Sequence, residues 1–488
     1  MKSPLEKGDT GGCNFNEAKY KALLEGLEIS EVLYSRMLNH TISTRLDSEY
    51  FKKEYLIQDN KLASKEIGKL SKLTTKIDVG FVGAMTAYYR DEGIILLQTK
   101  NISEFFINDN DSIRITEPFH KKLKKSQINF EDILIARSGS FGKASIYLEK
   151  ATINSSDIII IQANEVFINP YYLTGFLNSK YGVSQMIRFA SGGLQGHVNL
   201  TILEELEVPI LKNGFQENIK NIISNSYQLK TKSKQTYSQA ETLLLEAVGL
   251  QNFQPGTEKV NVKSFKDSFI TTGRLDAEYY QVKYEDYSKL IQSYKNGYEP
   301  LKTACILKDA NFNPDETIEY KYIELADIGK TGEIKGCTTA LGNELPSRAR
   351  RRVNTGDVIV SSIEGSLESC ALVQKEYNNA LCSTGFYVIN SKKINSETLL
   401  VLFKSESMQN ILKQACSGTI LTAINKDEFI NIPVPIIKTS VQQQISELVE
   451  ESFRLKKESE SLLELAKRAV EMAIEEGEER GMEMIKQI

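Results

Sequence analysis

Two patterns of hydrophobic and polar positions alternate along the chain, and each pattern occurs twice. Short apolar runs broken by Gly, Asn and Asp, such as EDILIARSGSFG at 131–142 and GDVIVSSIEGSL at 356–367, predict β-strands that end in tight turns. Each group of runs is followed by a long segment with few turn-forming residues, which predicts a helix. The chain is therefore predicted to contain two α+β globules, each followed by a long helix.

The two copies align at a nearly constant offset. TRLDSEYFKKEY at 44–55 returns as GRLDAEYYQVKY at 273–284, which is 229 residues later. ASGGLQGHVNLTILEELEVPI at 190–210 returns as CSGTILTAINKDEFINIPVPI at 416–436, which is 226 residues later. Solenoid repeats are only about 20 to 50 residues long. The pattern therefore predicts a duplicated domain, that is, a pseudo-twofold repeat.

The two long segments share a heptad register. Apolar or small residues recur in steps of four and three from Phe215 to Ala247, and the same register runs from Val441 to Ala473. A seven-residue apolar repeat sustained over more than four heptads favours the packing of one helix against another. An amphipathic helix that packs on its own globule is the alternative.

The repeat and the heptads together predict the domain boundaries. They are an N-terminal segment at 1–43, a first α+β domain at 44–212, a first long helix at 213–250, a linker at 251–272, a second α+β domain at 273–438 and a second long helix at 439–488.

The composition excludes several classes of protein. The net charge is -4 over 488 residues, which argues against binding nucleic acid through an overall positive field but leaves room for a local basic patch. No apolar run approaches the roughly 18 residues of a membrane span, and the first residues lack a secretory signal, so we expect a cytoplasmic protein. The six cysteines lie far apart and only three histidines occur, so no metal site is expected.

Basic residues cluster at equivalent places in the two copies. One cluster precedes Asp132 and the other precedes Asp357, and each leads into a predicted strand with a Ser/Gly turn behind it. Closely spaced cations repel one another, so the recurrence predicts a surface that binds the phosphates of a nucleic acid. A solvated loop is the alternative. A second predicted contact region is the loop 192–199 together with its counterpart 418–425, since Gln and Asn can contact adenine edges.

Fourteen residues are thus predicted to contact DNA. They are Lys121, Lys122, Lys124, Lys125, Arg137, Ser138, Gln195, His197, Asn199, Arg348, Arg350, Arg351, Arg352 and Asn425.

No catalytic motif is visible in the sequence. The chain contains no phosphate-binding loop of the G-x-x-x-x-G-K-S/T type, no H-E-x-x-H and no G-x-S-x-G. NPYY at 169–172 is similar to the NPPY motif of adenine methyltransferases, but copy two has NSET there and no F-x-G-x-G loop precedes it. NPYY is therefore interpreted as a helix start with Pro170 in the first turn, and no residue is predicted to be catalytic.

From about Ile42 to its end, the chain resembles the DNA specificity subunit of type I restriction-modification systems. The resemblance rests on RLDSEYF and RLDAEYY, on the two strand-turn segments, on the segments that end in LEVPI and IPVPI, and on the two long helices. It implies two target recognition domains, each reading half of a split DNA site, and two helices paired as an antiparallel coiled coil.

The resemblance also implies partners. The helices would dock two adenine methyltransferase subunits, and restriction/translocase subunits would join them. S-adenosylmethionine, ATP and magnesium would then bind in the partner subunits, and this chain would hold no cofactor. The alternatives are a DNA methyltransferase or nuclease with an unrecognised active site, and a coiled-coil scaffold that does not bind DNA.

Overall fold

The computed structural model describes residues 16–35, 37, 47–109, 111–137, 142–190, 198, 200–418 and 422–486. They divide into two compact units. Unit 1 comprises the described residues up to Tyr227 and from Glu460 onward, and unit 2 comprises Gln228–Ser459. None of the helices in the described ranges is long and apolar enough to cross a membrane.

Unit 1 is built on two five-stranded sheets. Its strands are β1 (Ile67–Lys69), β2 (Thr74–Val79), β3 (Tyr89–Arg90), β4 (Ile94–Leu97), β5 (Phe105–Phe106), β6 (Ile113–Ile115), β7 (Gln127–Ile128), β8 (Ile133–Ala136), β9 (Ala144–Ile146), β10 (Ile153–Ser155), β11 (Ile158–Ala163) and β12 (Glu207–Pro209). The main sheet has the order β2-β11-β8-β9-β5, the second sheet has the order β3-β6-β4-β10-β7, and β1 pairs with β12.

Helices cover one face of the main sheet in unit 1. The α-helices before the first long helix are α1 (Glu17–Leu24), α2 (Lys53–Leu62), α3 (Leu70–Leu73), α4 (Glu117–Lys122), α5 (Pro170–Asn178), α6 (Lys180–Ala190) and α7 (Leu200–Glu204). Short 3-10 turns lie at Thr86–Tyr88, Thr99–Asn101 and Lys124–Ser126. The chain then enters the first long helix, α8 (Asn213–Val248).

Unit 2 repeats this plan with two four-stranded sheets and an additional pair of strands. Its strands are β13 (Tyr298–Pro300), β14 (Ile306–Lys308), β15 (Glu319–Ile323), β16 (Thr338–Leu341), β17 (Ala349–Arg352), β18 (Val358–Ser361), β19 (Cys370–Leu372), β20 (Leu381–Ser383), β21 (Phe386–Asn390), β22 (Cys416–Ser417), β23 (Ala423–Ile424) and β24 (Pro433–Pro435). The main sheet has the order β14-β21-β18-β19, the second sheet has the order β16-β15-β20-β17, β13 pairs with β24, and the additional pair is β22 with β23.

The helices of unit 2 follow the same order as those of unit 1. They are α9 (Val282–Gln292), α10 (Leu301–Ala304), α11 (Ser396–Lys404), α12 (Glu406–Gln414) and α13 (Lys426–Asn431), with 3-10 turns at Leu325–Asp327, Glu364–Ser366 and Lys375–Tyr377 and a π-helical turn at Lys266–Ile270. The second long helix, α14 (Thr439–Glu475), and the short α15 (Glu478–Lys486) complete the chain.

Strand pairing confirms the internal repeat. In unit 1, β10 is parallel to β4 and antiparallel to β7, with Asn154 opposite Leu96. In unit 2, β20 is parallel to β15 and antiparallel to β17, with Leu381 opposite Tyr322. A parallel neighbour within a largely antiparallel sheet is an unusual feature, and both copies place it at the same step of the chain.

The central strands are buried on both faces because each face meets a different core. In β11, Ile159 and Ile161 join the cluster beneath the helices, whereas Ile158 and Ile160 join a cluster with the second sheet. In unit 2, Ile389 and Val388 divide in the same way. Alternating side chains of a strand point to opposite faces, so a continuous apolar run suits a strand covered on both sides.

The long helices are antiparallel, as the resemblance implied. In unit 1, Phe215 and Ile219 near the start of α8 share a core with Val470 near the end of α14. In unit 2, Leu244 near the end of α8 shares a core with Ile445 near the start of α14. The beginning of each helix thus lies beside the end of the other. The fold is confirmed as α+β, with two tandem copies and paired long helices.

Two seam serines join the helices directly within unit 2. Ser233 Oγ donates to the carbonyl oxygen of Ser452 at 2.7 Å, and Ser452 Oγ donates to the carbonyl oxygen of Ser233 at 2.8 Å. Both side chains are almost completely buried. Small residues in the seam allow the backbones to approach closely enough for these bonds, and the bonds satisfy hydroxyl groups that would otherwise be buried without partners.

The second long helix is shorter than the predicted 439–488. It ends at Glu475 because Gly477 adopts φ +107°, a conformation that residues with a Cβ rarely take. The chain then returns as α15, whose apolar residues pack on the core of unit 1. Gly481 makes this return possible, since a Cβ there would lie 2.9 Å from the carbonyl oxygen of Ala469 and from the ring of Phe215.

Candidate nucleic-acid interface

The lysine cluster of unit 1 occupies α4 and the 3-10 turn behind it. Lys121 Nζ lies 2.7 Å from the carboxylate of Glu117, and Lys125 Nζ lies 2.9 Å from that of Asp78. The two lysine side chains are 71% and 76% exposed. The Lys121–Glu117 pair is exposed on both sides and is worth only about 0–1 kcal/mol, so a phosphate can replace Glu117 at little cost, whereas the Asp78 carboxylate is only 15% exposed. In the described part of the chain, neither Lys122 nor Lys124 has an ion-pair partner.

A buried polar network holds this turn on the second sheet. Ser126 Oγ donates to Asn154 Oδ1 at 2.6 Å, and Ser155 Oγ donates to the carbonyl oxygen of Ser126 at 3.0 Å. His120 Nδ1 lies 3.2 Å from Asn154 Nδ2, and burial lowers the pKa of this imidazole. A neutral His120 can accept the amide proton. The network fixes the lysines to β10 and thereby sets their direction.

The arginine cluster of unit 2 lies on β17, an edge strand of the second sheet. Arg350 donates to the carbonyl oxygen of Ser347 and to Asn313 Oδ1, both at 3.0 Å. The Arg352 guanidinium lies 4.8 Å from the ring centroid of Phe312, within the range of a cation–π contact. Arg348 is exposed. The structure therefore places Arg350, Arg351 and Arg352 on one short strand and Arg348 directly before it, whereas the sequence predicted a cluster that leads into a strand.

Arg351 has different surroundings from its neighbours. Its Nε and Nη1 are buried and find no hydrogen-bond acceptor among the residues that the structure describes. It lies opposite Cys382 in the strand pair, on the other side of the strand from Arg352. Buried donors without an acceptor destabilise a fold by about 1–3 kcal/mol each, so this guanidinium would gain from an acceptor supplied by a ligand.

The aspartates behind the two clusters fix turns. Asp132 Oδ2 accepts the backbone N–H of Asn129 at 2.8 Å, and Asp357 Oδ2 accepts that of Asn354 at 2.8 Å. Burial raises the pKa of Asp132. The second aspartate is further held by Lys308 Nζ at 2.7 Å. Their identical turn geometry explains why the residue recurs and assigns it a structural role.

The other predicted contacts divide into three groups. Arg137 forms an ion pair with Asp157 at 3.1 Å and is about one-third exposed. Asn425 caps α13, because its Oδ1 accepts the backbone N–H of Glu428 at 2.9 Å. An Asn that contacts adenine through both amide atoms needs its Oδ1 free to accept from the base. In this structure the Asn425 Oδ1 is already used to cap the helix. The remaining predictions, Ser138, Gln195, His197 and Asn199, lie outside the described residues.

Two motifs prove to be structural. Asn169 caps α5, Pro170 lies in its first turn, and Tyr172 is buried with its hydroxyl donating to Pro209, which confirms that NPYY is a helix start. In GRLDAEYY, Arg274 binds the carboxylate of Asp276 and donates to the carbonyl oxygen of Cys416 at 2.8 Å. This motif therefore ties the start of copy two to the segment behind α12.

Sequence reasoning missed the residues that contact the cations from the first strand of each main sheet or from the segment that follows it. They are Asp78 in unit 1 and Phe312 with Asn313 in unit 2. Polar and aromatic residues beside a strand end are common, so only their position at equivalent ends of β2 and β14 could have indicated them. Within the described ranges, no group of three or more metal-ligating side chains occurs.

Comparison with known proteins shows which family the chain is similar to. The model of the type I restriction modification DNA specificity domain matches residues 300–465. The type I restriction enzyme MjaVIII specificity subunit of Methanocaldococcus jannaschii is 24% identical over 367 residues, which cover 71% of this chain and 79% of that protein.

Solved structures of similar proteins align with most of the chain. The type I restriction-modification S subunit of M. genitalium is 12% identical, covers 84% of this chain and 95% of its own, and gives a TM-score of 0.42. The HsdS subunit of Thermoanaerobacter tengcongensis is also 12% identical, covers 84% and 97%, and gives a TM-score of 0.27.

The matched segment 300–465 spans most of copy two and much of its helix, and copy one repeats the same strand pairing. The family model thus matches copy two, and copy one repeats its strand pairing, so the chain is similar to type I restriction-modification DNA specificity subunits.

Proposed function

We propose that this chain selects a split DNA sequence for a restriction-modification complex, with each α+β copy reading one half of the site. The observation that carries the proposal is the recurrence of a cationic cluster beside the same edge of the second sheet in both copies. In unit 1 the cluster leads into β7, and in unit 2 it lies on β17; both strands pair with the equivalent strands β10 and β20.

The chemistry of the two clusters suits a phosphate backbone. In unit 1 the side chains of Lys121 and Lys125 are themselves exposed, and arginines in unit 2 present planar groups that can bind a phosphate with two hydrogen bonds. Phosphate contacts position a protein on DNA, while sequence is read by contacts to base edges. The cationic clusters are therefore proposed to set register and affinity for both halves of the site.

We infer the partners from the family. As a specificity subunit the chain is not itself an enzyme, so methyl transfer and cleavage belong to other subunits. Two adenine methyltransferase subunits would dock on α8 and α14, and restriction/translocase subunits would join that core. S-adenosylmethionine, ATP and magnesium would bind in those partners. A complex that acts on genomic DNA would work in the cytoplasm.

Salt dependence of DNA binding tests the clusters. In the complex with its methyltransferase, replacing Lys121, Lys122, Lys124 and Lys125 together by Ala should weaken binding to every DNA sequence. The slope of log K against log salt should shrink by about 0.9 for each phosphate that the variant no longer neutralises. Replacing Arg348, Arg350 and Arg352 should have the same kind of effect, because these groups occupy the equivalent edge in unit 2.

A matched control replaces four other exposed lysines of unit 1, namely Lys61, Lys72, Lys100 and Lys150, by Ala. It removes the same charge but should leave the slope close to that of the unmodified complex. Equal slopes for the cluster variant, the control and the unmodified complex would mean that the clusters are solvated surface. A complex that binds no DNA at all would instead favour the scaffold alternative.

A further inference from the structure

In each unit, the loop behind the first strand of the main sheet lies beside the cationic cluster. We call these the strand-end loops, residues 80–84 behind β2 and 309–313 behind β14. In unit 1, Val79–Val82 and Lys122–Ser126 line the two walls of a cleft of about 460 Å³. In unit 2, the backbone N–H of Phe312 donates to the carbonyl oxygen of Arg350 at 2.8 Å. The loops thus meet the proposed phosphate contacts directly.

The loops are held rigidly by the sheets below them. In unit 1, Gly80 N–H donates to the carbonyl oxygen of Ile158 at 2.7 Å, and Phe81 N–H donates to that of Ser155 at 3.1 Å. A Cβ on Gly80 would lie 2.5 Å from Ser155 Oγ, so only glycine allows this approach. In unit 2, Asn313 Oδ1 accepts from Arg350, and Asp309 forms an ion pair with Lys426. These contacts hold the residues on either side of each loop tip beside the cationic cluster.

The frame recurs, but the exposed tips differ in chemistry. Unit 1 presents Val82, an aliphatic side chain that is 62% exposed and followed by the exposed Gly83 and Ala84. Unit 2 presents Asn311, which is exposed and has no hydrogen bond to any other described residue. Val82 offers only an apolar surface, whereas the Asn311 amide offers a donor and an acceptor side by side.

Those two chemistries match two different base edges. In the major groove, apolar side chains contact the C5-methyl group of thymine, and an Asn amide pairs with N6 and N7 of adenine. We propose that the strand-end loops are base-reading elements, with Val82 contacting a thymine methyl group in one half-site and Asn311 contacting an adenine in the other. This inference rests on the proposed function, since it assumes that each unit reads half of a split sequence.

Single substitutions test the assignment in the assembled complex. Val82→Ala should relax the sequence preference at one position of one half-site and leave the other half unchanged, while Asn311→Ala should do the reverse. Each variant complex would be expressed in a host that has no adenine methyltransferase of its own. The methylated positions in that host's genomic DNA would then be mapped. Val166→Ala and Asn296→Ala serve as controls, because both residues are exposed, lie in the same two units and stand outside the loops.

Base analogues in synthetic duplexes then identify the atoms involved. For the unmodified complex, exchanging the contacted thymine for uracil removes one methyl group and should lower the methylation rate about 3- to 5-fold. Exchanging the contacted adenine for 7-deazaadenine removes the N7 acceptor and should cost between about 5- and 100-fold. With Val82→Ala and Asn311→Ala respectively, these exchanges should cause no further loss, because each variant already lacks the side chain that reads the base.

The outcomes separate this inference from the proposed function. If both variants methylate the unchanged split sequence with unchanged preference at every position, the strand-end loops do not read bases, and the proposed function still stands. If the base exchange lowers the methylation rate of the variant as much as it lowers that of the unmodified complex, the side chain does not contact that base, and the inference is likewise wrong. If the unmodified complex methylates without any sequence preference, the proposed function itself has failed.

Discussion

Arg351 is the residue of the arginine cluster whose donors are least satisfied. Arg350 has two hydrogen bonds and Arg352 has an aromatic ring beneath it, whereas two nitrogens of Arg351 are buried without an acceptor among the described residues. A group in this state contributes little to the stability of the free protein. Arg351 is therefore better placed to serve a ligand than the fold.

We expect Arg351→Met to separate stability from binding. The free energy of unfolding should stay the same or rise slightly, because an apolar side chain of similar length removes unsatisfied donors, whereas DNA affinity of the assembled complex should fall. Arg350→Met is the matched comparison and should destabilise the fold by about 1 kcal/mol, since it removes two hydrogen bonds. Urea unfolding and DNA titration measure the two quantities. A strong loss of stability in Arg351→Met would show that Arg351 serves the fold.

At the scale of elements, the close contact at Gly481 decides whether α15 can return onto unit 1. Gly481→Ala places a Cβ 2.9 Å from the carbonyl oxygen of Ala469 and 3.1 Å from the Cβ of Ala473. Over-packing of this kind costs about 1–3 kcal/mol, so we expect lower stability and faster amide exchange in α15. Gly214→Ala is the control, because nothing lies within 4 Å of a Cβ there. Equal stability of the two variants would mean that α15 is not packed as described.

The long helices and central strands could be predicted because their signals are periodic. The heptad register includes Ser233 and Ser452 in the seam, and the apolar run in EDILIARSGSFG predicted the strand found at Ile133–Ala136. The end of the second helix could not be predicted in this way. GMEMI continues a helical pattern, and only the positive φ of Gly477, which depends on packing against unit 1, breaks the helix.

The candidate site was predictable as a region but not side chain by side chain. Both clusters could be identified because Lys and Arg residues occur close together at equivalent positions of the two copies. The roles of Asn425 and Arg351 depend instead on the neighbours that folding supplies: a helix N–H for the first and a lack of acceptors for the second. The strand-end loops have no sequence signature, because their contact with the cations arises only when distant strands pair.

At the scale of the whole molecule, duplication is the feature that connects fold and proposed function. Each copy keeps its strand pairing, aspartate turn and cationic edge, while the residues at the loop tips differ. A constant frame with different loops is what two readers of different half-sequences require. The copies should then be exchangeable in a way that transfers sequence preference.

The most direct test of the claim that each copy reads one half-site is to replace one copy by the other. Residues 74–163 of copy one would be replaced by residues 306–390 of copy two, with both junctions at paired strand positions. The assembled methyltransferase complex would be expressed in a host that lacks methylation, and the modified adenines would be mapped across the genome. We expect a new split site whose two halves are both the half-sequence read by copy two. An assembled complex that still methylates the original site would contradict the assignment of one half-site to each copy.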